Sequence, residues 1–140
     1  MYFAISFIIM IGSDIIGSDF LIFFLQKDLL VILISLFGLN IAVLSILISK
    51  LSDSKKEKPE LDINDTTYEM KYSLIEFFVL ICVAFFSLIL IDSEKLVFEY
   101  KAITFSSLLL STLIYSLIII WDTGNGIFIL VQEENKANKD

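Results

Sequence analysis

The chain alternates long apolar runs with short polar ones. Leu29–Ser49 reads LLVILISLFGLNIAVLSILIS without one charged residue. A helix of that length rises about 31 Å, close to the thickness of a bilayer's hydrocarbon core. Tyr72–Ile91 and Ala102–Trp121 are two further runs of the same kind, the first carrying one charge, Glu76. A soluble domain of 140 residues has no interior for three such helices, so the pattern predicts an all-α integral membrane bundle.

Residues 1–26 allow two readings. Met1–Ile11 is apolar but rises only about 17 Å as a helix. A repeat follows, Gly12-Ser13-Asp14-Ile15-Ile16 and then Gly17-Ser18-Asp19-Phe20-Leu21. The segment is expected to be a first span over about 3–25, giving four transmembrane helices with 29–51, 72–91 and 102–121. The alternative is three spans and an interfacial or re-entrant N-terminal segment that turns within Gly12–Asp19. An Asp at mid-bilayer costs roughly 2.5–3.5 kcal/mol on insertion scales, set against its apolar companions. There is no basic n-region or small-residue cleavage site, so the N-terminus is expected to be retained.

Between the runs, Gln26-Lys27-Asp28 is expected to form a tight hairpin, 52–71 a solvated polar loop containing Pro59 with a short helix before the next span, and 92–101 a short connection. Asp122-Thr123-Gly124-Asn125-Gly126 is a cluster of helix breakers. It is followed by the apolar Ile127–Val131, read either as a docking patch or as a continuation of the last helix. A charged tail at 132–140 completes a chain whose remaining 1–131 is the bundle. Lys50, Lys55, Lys56, Lys58, Lys71, Lys136 and Lys139, seven of ten lysines, collect on the side of the long loop and the tail. That excess places both segments in the cytoplasm.

Composition narrows the function classes. The apolar share is 57% and the mean hydropathy +0.86. A net charge of −7 with no arginine argues against direct nucleic-acid binding, which needs clustered cations. The chain has no His, and Cys82 is its one cysteine, read as a small apolar filler. No nucleophile–base pair, metal-ligand spacing or phosphate loop occurs, so no enzyme, cofactor or metal site is expected.

Two polar patterns remain. Ser35, Gly38, Ala42, Ser45 and Ser49 recur at spacings of 3 and 4 and fall within about 80° of one another on a helix. Small residues let helices approach closely in lipid, so this stripe is read as a packing seam and points to a homo-oligomer. Asn40 lies opposite it and needs a hydrogen-bonding neighbour, which predicts that this helix is contacted on both sides. In the last span Thr104, Ser107, Ser111 and Tyr115 share a face, read as packing glue or, with Asp14 and Asn40, as the wall of a polar path. Asp19 and Glu76 are read as lying within reach of the interface.

In layout, a Gly-containing second span (SLFGLNIAVLSILISKLS, 35–52), a charged inner loop, a close pair of C-terminal spans and a short charged tail resemble the small polytopic membrane subunits of bacterial anti-phage systems, KwaA-like Kiwa subunits and RexB-like exclusion proteins. That resemblance implies a membrane component that either holds a cytosolic partner, through 52–71 and 122–140, or opens a conductance. It carries over no functional residue.

Overall fold

A computed structural model describes residues 1–57, 64–94 and 100–137, with backbone alone at 57, 65, 127 and 130–137. Lys58, Pro59, Lys95 and Lys139, which the sequence places in polar connections and the tail, lie outside the described residues. Five helices follow in order: α1 (Tyr2–Ile16), α2 (Phe20–Lys27), α3 (Leu29–Glu57), α4 (Asn64–Asp92) and α5 (Lys101–Ala137). No strand occurs among the described residues. Leu29–Lys56, Thr66–Asp92 and Lys101–Gly126 are long and apolar enough to cross a bilayer, and α1 is a shorter apolar helix. The protein is thus an all-helical, multi-pass membrane protein.

The expected single helix over 3–25 is instead broken at Gly17. This residue takes the left-handed conformation, φ 70° and ψ 32°. Its N–H donates to the Asp14 carbonyl at 2.9 Å, and the Ser18 N–H donates to Ser13 at 3.0 Å. This pair of bonds satisfies the carbonyls left open at a helix end. The Ser13 hydroxyl adds a bond to the Ser18 carbonyl at 2.8 Å. Gly12, the first glycine of the repeat, stays inside α1. Gly17→Ala is expected to cost about 1 kcal/mol, because a Cβ disfavours this conformation. Gly12→Ala, in a helix interior, should gain roughly what Gly17→Ala loses. Thermal unfolding of the two variants in detergent compares them directly.

The hairpin expected at 26–28 does not form. Asp28 keeps right-handed geometry, its N–H donates to Phe24, and its carbonyl accepts from Ile32. No glycine or proline interrupts these positions, so helical bonding passes from α2 into α3. The loop expected at 52–71 is also largely helical: α3 continues to Glu57 and α4 begins at Asn64. Lys55 and Lys56 occupy the last turn of α3, where cations oppose the helix dipole.

Helix α5 is the centre of the bundle. Of its spanning window 39% is buried, against 22% for α3 and 17% for α4, and it packs on all four other helices. Its interior face is built of small polar residues, Ser106, Ser107, Thr112 and Ser116, which allow close approach. Two apolar clusters fill the bundle, the first reaching α5 and the second lying between α3 and α4. One joins Met10, Leu25, Leu29, Leu33, Ala84, Leu109 and Leu110; the second joins Leu44, Leu47, Leu51 and Met70. Across the α4–α5 connection the Lys101 ammonium donates to the Ser93 carbonyl. Exposed Tyr68, Tyr72 and Trp121 ring one end of the spans and Tyr100 marks the other, as aromatic side chains do at membrane interfaces.

Candidate functional site

On α3 the buried positions Leu29, Leu33, Asn40, Leu44, Leu47 and Leu51 repeat at seven, four and three residues and face α4 and α5. Ser35, Gly38, Ala42, Ser45 and Ser49 lie on the opposite side, all exposed on the surface of the protomer. Within that stripe the Ser35 and Ser45 hydroxyls donate to the carbonyls of Val31 and Ile41, each at 2.8 Å. Those protons are therefore satisfied without a neighbour, and the stripe presents a smooth, self-contained surface.

Asn40 is fully buried at the meeting of three helices. Its Nδ2 donates to the Ser73 hydroxyl of α4 at 3.3 Å, and Ser73 lies 3.5 Å from the Thr123 hydroxyl of α5. Thr123 gives its own proton to the Ile119 carbonyl at 2.8 Å, so Ser73 must be the donor to Thr123. The relay thus ends on the Ile119 carbonyl, while Asn40 Oδ1 has no donor among the described residues. This node separates the two apolar clusters along α3. Asn40 was legible as a residue in need of partners; Ser73 and Thr123, single hydroxyls in unlike surroundings, carried no sequence signal.

The polar row of α5 is differently placed. Ser107 is buried and donates to the Ile103 carbonyl at 2.6 Å. Thr104, Ser111 and Tyr115 are half-buried. Thr112 and Ser116, which sequence reasoning missed, bond the carbonyls of Leu109 and Leu113, each at 2.7 Å, and Ser87 of α4 bonds Val83 in the same way. The hydroxyls of Ser6 and Ser106 are buried without a partner. The candidate path residues are not gathered at one point. Asp14 is exposed in the last turn of α1, Asn40 sits in the node, and Thr104–Tyr115 extend about 16 Å along α5.

Tyr115 has two neighbours that the sequence did not reveal. Its ring lies 5.8 Å from that of Tyr2, and the Glu76 carboxylate is within electrostatic reach of its phenol. Glu76 is exposed on α4, and Asp19, also exposed, precedes the first turn of α2. Cys82 is half-buried in α4.

At the end of the bundle marked by Lys50, Lys71 and Asp122, α3, α4 and α5 part around a cavity of about 350 Å³. Leu44, Leu47 and Met70 form its apolar floor, and Glu69, Asp122 and Thr123 add polar groups to its wall. The cluster Asp122–Gly126, expected to break the helix, forms part of the same wall and stays helical. A Cβ on Gly126 would lie 3.7 Å from Leu47, so α5 passes close to α3 at this point. Helix α5 then runs on to Ala137, about 24 Å past Trp121.

Among the described residues no group of His, Cys, Asp and Glu is placed to hold a metal ion. Comparison with protein-family models, with curated proteins and with solved structures finds no match to the chain.

Proposed function

We propose that this protein is a membrane anchor: a bundle that holds a cytosolic protein at the bacterial inner membrane, as expected of a membrane component of an anti-phage defence system. The observation that best supports this reading is the projection of α5 through the polar cluster 122–126 as far as Ala137. Beside it, the ends of α3 and α4 also extend past Lys50 and Lys71. Three helices leaving the bilayer together make a shaped surface, where a flexible loop and tail would have to be ordered by the partner at an entropic cost. The lysine excess puts this surface in the cytoplasm. In this reading α1 crosses as the first of four spans, ahead of the break at Gly17; if it instead lodges in one leaflet, the cytoplasmic position of the docking surface is unchanged.

Deleting 127–140 from the full chain removes most of the projection and leaves every span intact. The truncated protein should accumulate in membranes as before, while a partner that co-sediments with the whole protein shifts at least tenfold toward the soluble fraction. Unchanged co-sedimentation would refute the anchor reading.

One observation favours a second reading, an oligomeric pore that depolarises the membrane. The exposed stripe from Ser35 to Ser49 offers a close-packing surface to a second copy. Under this reading the purified protein conducts in planar bilayers, Gly38→Leu abolishes both the oligomer and the current, and Asp14→Asn or Ser111→Leu changes the conductance.

A further inference from the structure

The cavity at the lysine-rich end has a chemistry more specific than its position. Its floor, Leu44, Leu47 and Met70, is buried and apolar. Its wall carries two exposed carboxylates, Glu69 from α4 and Asp122 from α5, and, among the described residues, no lysine. Thr123 adds an acceptor, because its proton is committed to the Ile119 carbonyl and Ser73 donates toward it from behind. The site therefore receives an apolar group, positive charge and hydrogen-bond donors. Its volume of about 350 Å³ is at the lower end of the range for ligand pockets and suits one or two side chains. On the projecting part of α5 its apolar surface continues through Ile129, which lines the cavity, to Phe128; they are 58% and 69% exposed. An apolar ridge of this kind, past the end of the spanning stretch at Gly126, marks an interaction surface.

We propose that this cavity is where the cytosolic partner docks, and that the partner's docking segment carries an apolar side chain within a few residues of a lysine or arginine. The apolar group fills the floor and the cation meets Glu69 and Asp122. The two carboxylates discriminate by charge: they admit a basic segment and repel acidic proteins and anionic lipid headgroups alike. The inference rests on the anchor reading and gives its partner a chemistry.

The test uses the full chain in phosphatidylcholine nanodiscs and three fluorescein-labelled amphipathic dodecapeptides, alternating leucine with lysine, glutamate or serine. Fluorescence anisotropy should show saturable binding of the lysine peptide beyond that to empty discs, with the other two at least tenfold weaker. The isosteric double variant Glu69→Gln/Asp122→Asn should lose the lysine peptide at least tenfold. Charge reversal, Glu69→Lys/Asp122→Lys, should transfer the preference to the glutamate peptide. Binding equal to that of empty discs, or undiminished in the Gln/Asn variant, overturns the proposal, as does a phospholipid retained in the cavity that no peptide displaces. The two readings fail separately. Peptide selectivity in a protein that retains no cytosolic partner leaves the cavity proposal and removes the anchor. Partner retention that the double variant does not disturb, without peptide selectivity, does the reverse.

Discussion

Asn40→Asp is expected to be the most damaging single change in the spanning part of the chain. Asn40 stands 11 residues after Leu29 and nine before Ser49, so it sits at the middle of α3's apolar run. It is completely buried, and its one partner is the Ser73 hydroxyl. A carboxylate at that depth costs about 2.5–3.5 kcal/mol on insertion scales. The node has no cation to receive it: Ser73 and Thr123 offer hydroxyls, and the protons of both are already committed. Asn40→Leu is the informative companion. Leucine has the same branched four-atom skeleton, removes the orphaned Oδ1 and gives up one interhelical bond worth about 0.6 kcal/mol in a membrane protein. Eliminating an unsatisfied acceptor offsets that loss, so the leucine variant should be close to wild type in stability. Unfolding in mixed SDS and dodecylmaltoside micelles measures both. A leucine variant as unstable as the aspartate one would show that the node supports more than packing.

The membrane character of the chain was legible because apolar length and helical rise depend on local sequence alone. Asn40 was legible for a related reason: an amide in an apolar run needs a partner, and the structure turns it toward α4 and α5. What local sequence does not contain is the choice between equivalent positions. The two Gly-Ser-Asp repeats are chemically alike, yet only Gly17 adopts the left-handed turn, since which glycine ends the helix depends on how α1 and α2 each pack on α5. The glycines at 124 and 126 read as breakers because in isolation they are, yet α5 runs through both. The small-residue stripe at 35–49 and the face used by α3 inside the protomer are both regular patterns. Nothing in their spacing ranks one above the other as the intramolecular seam. Ser73, Thr123, Glu69 and Asp122 come from segments distant in sequence, so the node and the cavity exist only after folding.

The second large effect is expected at Ser6, and it bears on how the N-terminal segment is held. Among the described residues of α1 only Ser6 and Met10 are buried, and α1 packs mainly on α5. At Ser6 the side chain is completely enclosed and its hydroxyl has no partner. Ser6→Ala should therefore be nearly neutral, since it removes a polar group that bonds nothing. Ser6→Leu adds two heavy atoms to a contact that has no space for them, and overpacking costs about 1–3 kcal/mol. With so few buried residues to hold it, α1 should yield before α5 does and separate from the bundle. The pair Tyr2 and Tyr115, with ring centres 5.8 Å apart, reports the separation. In a Cys82→Ser background, which leaves no native thiol, Tyr2→Cys/Tyr115→Cys should be joined by a short bismaleimide linker in membranes. Adding Ser6→Leu should reduce that linkage at least tenfold, while Ser6→Ala leaves it intact. Because α3, α4 and α5 meet through contacts that do not involve Ser6, the Asn40 node should survive the loss of α1. Undiminished linkage in the leucine variant would mean that α1 is fixed by the lipid or by a second copy instead of by its face on α5.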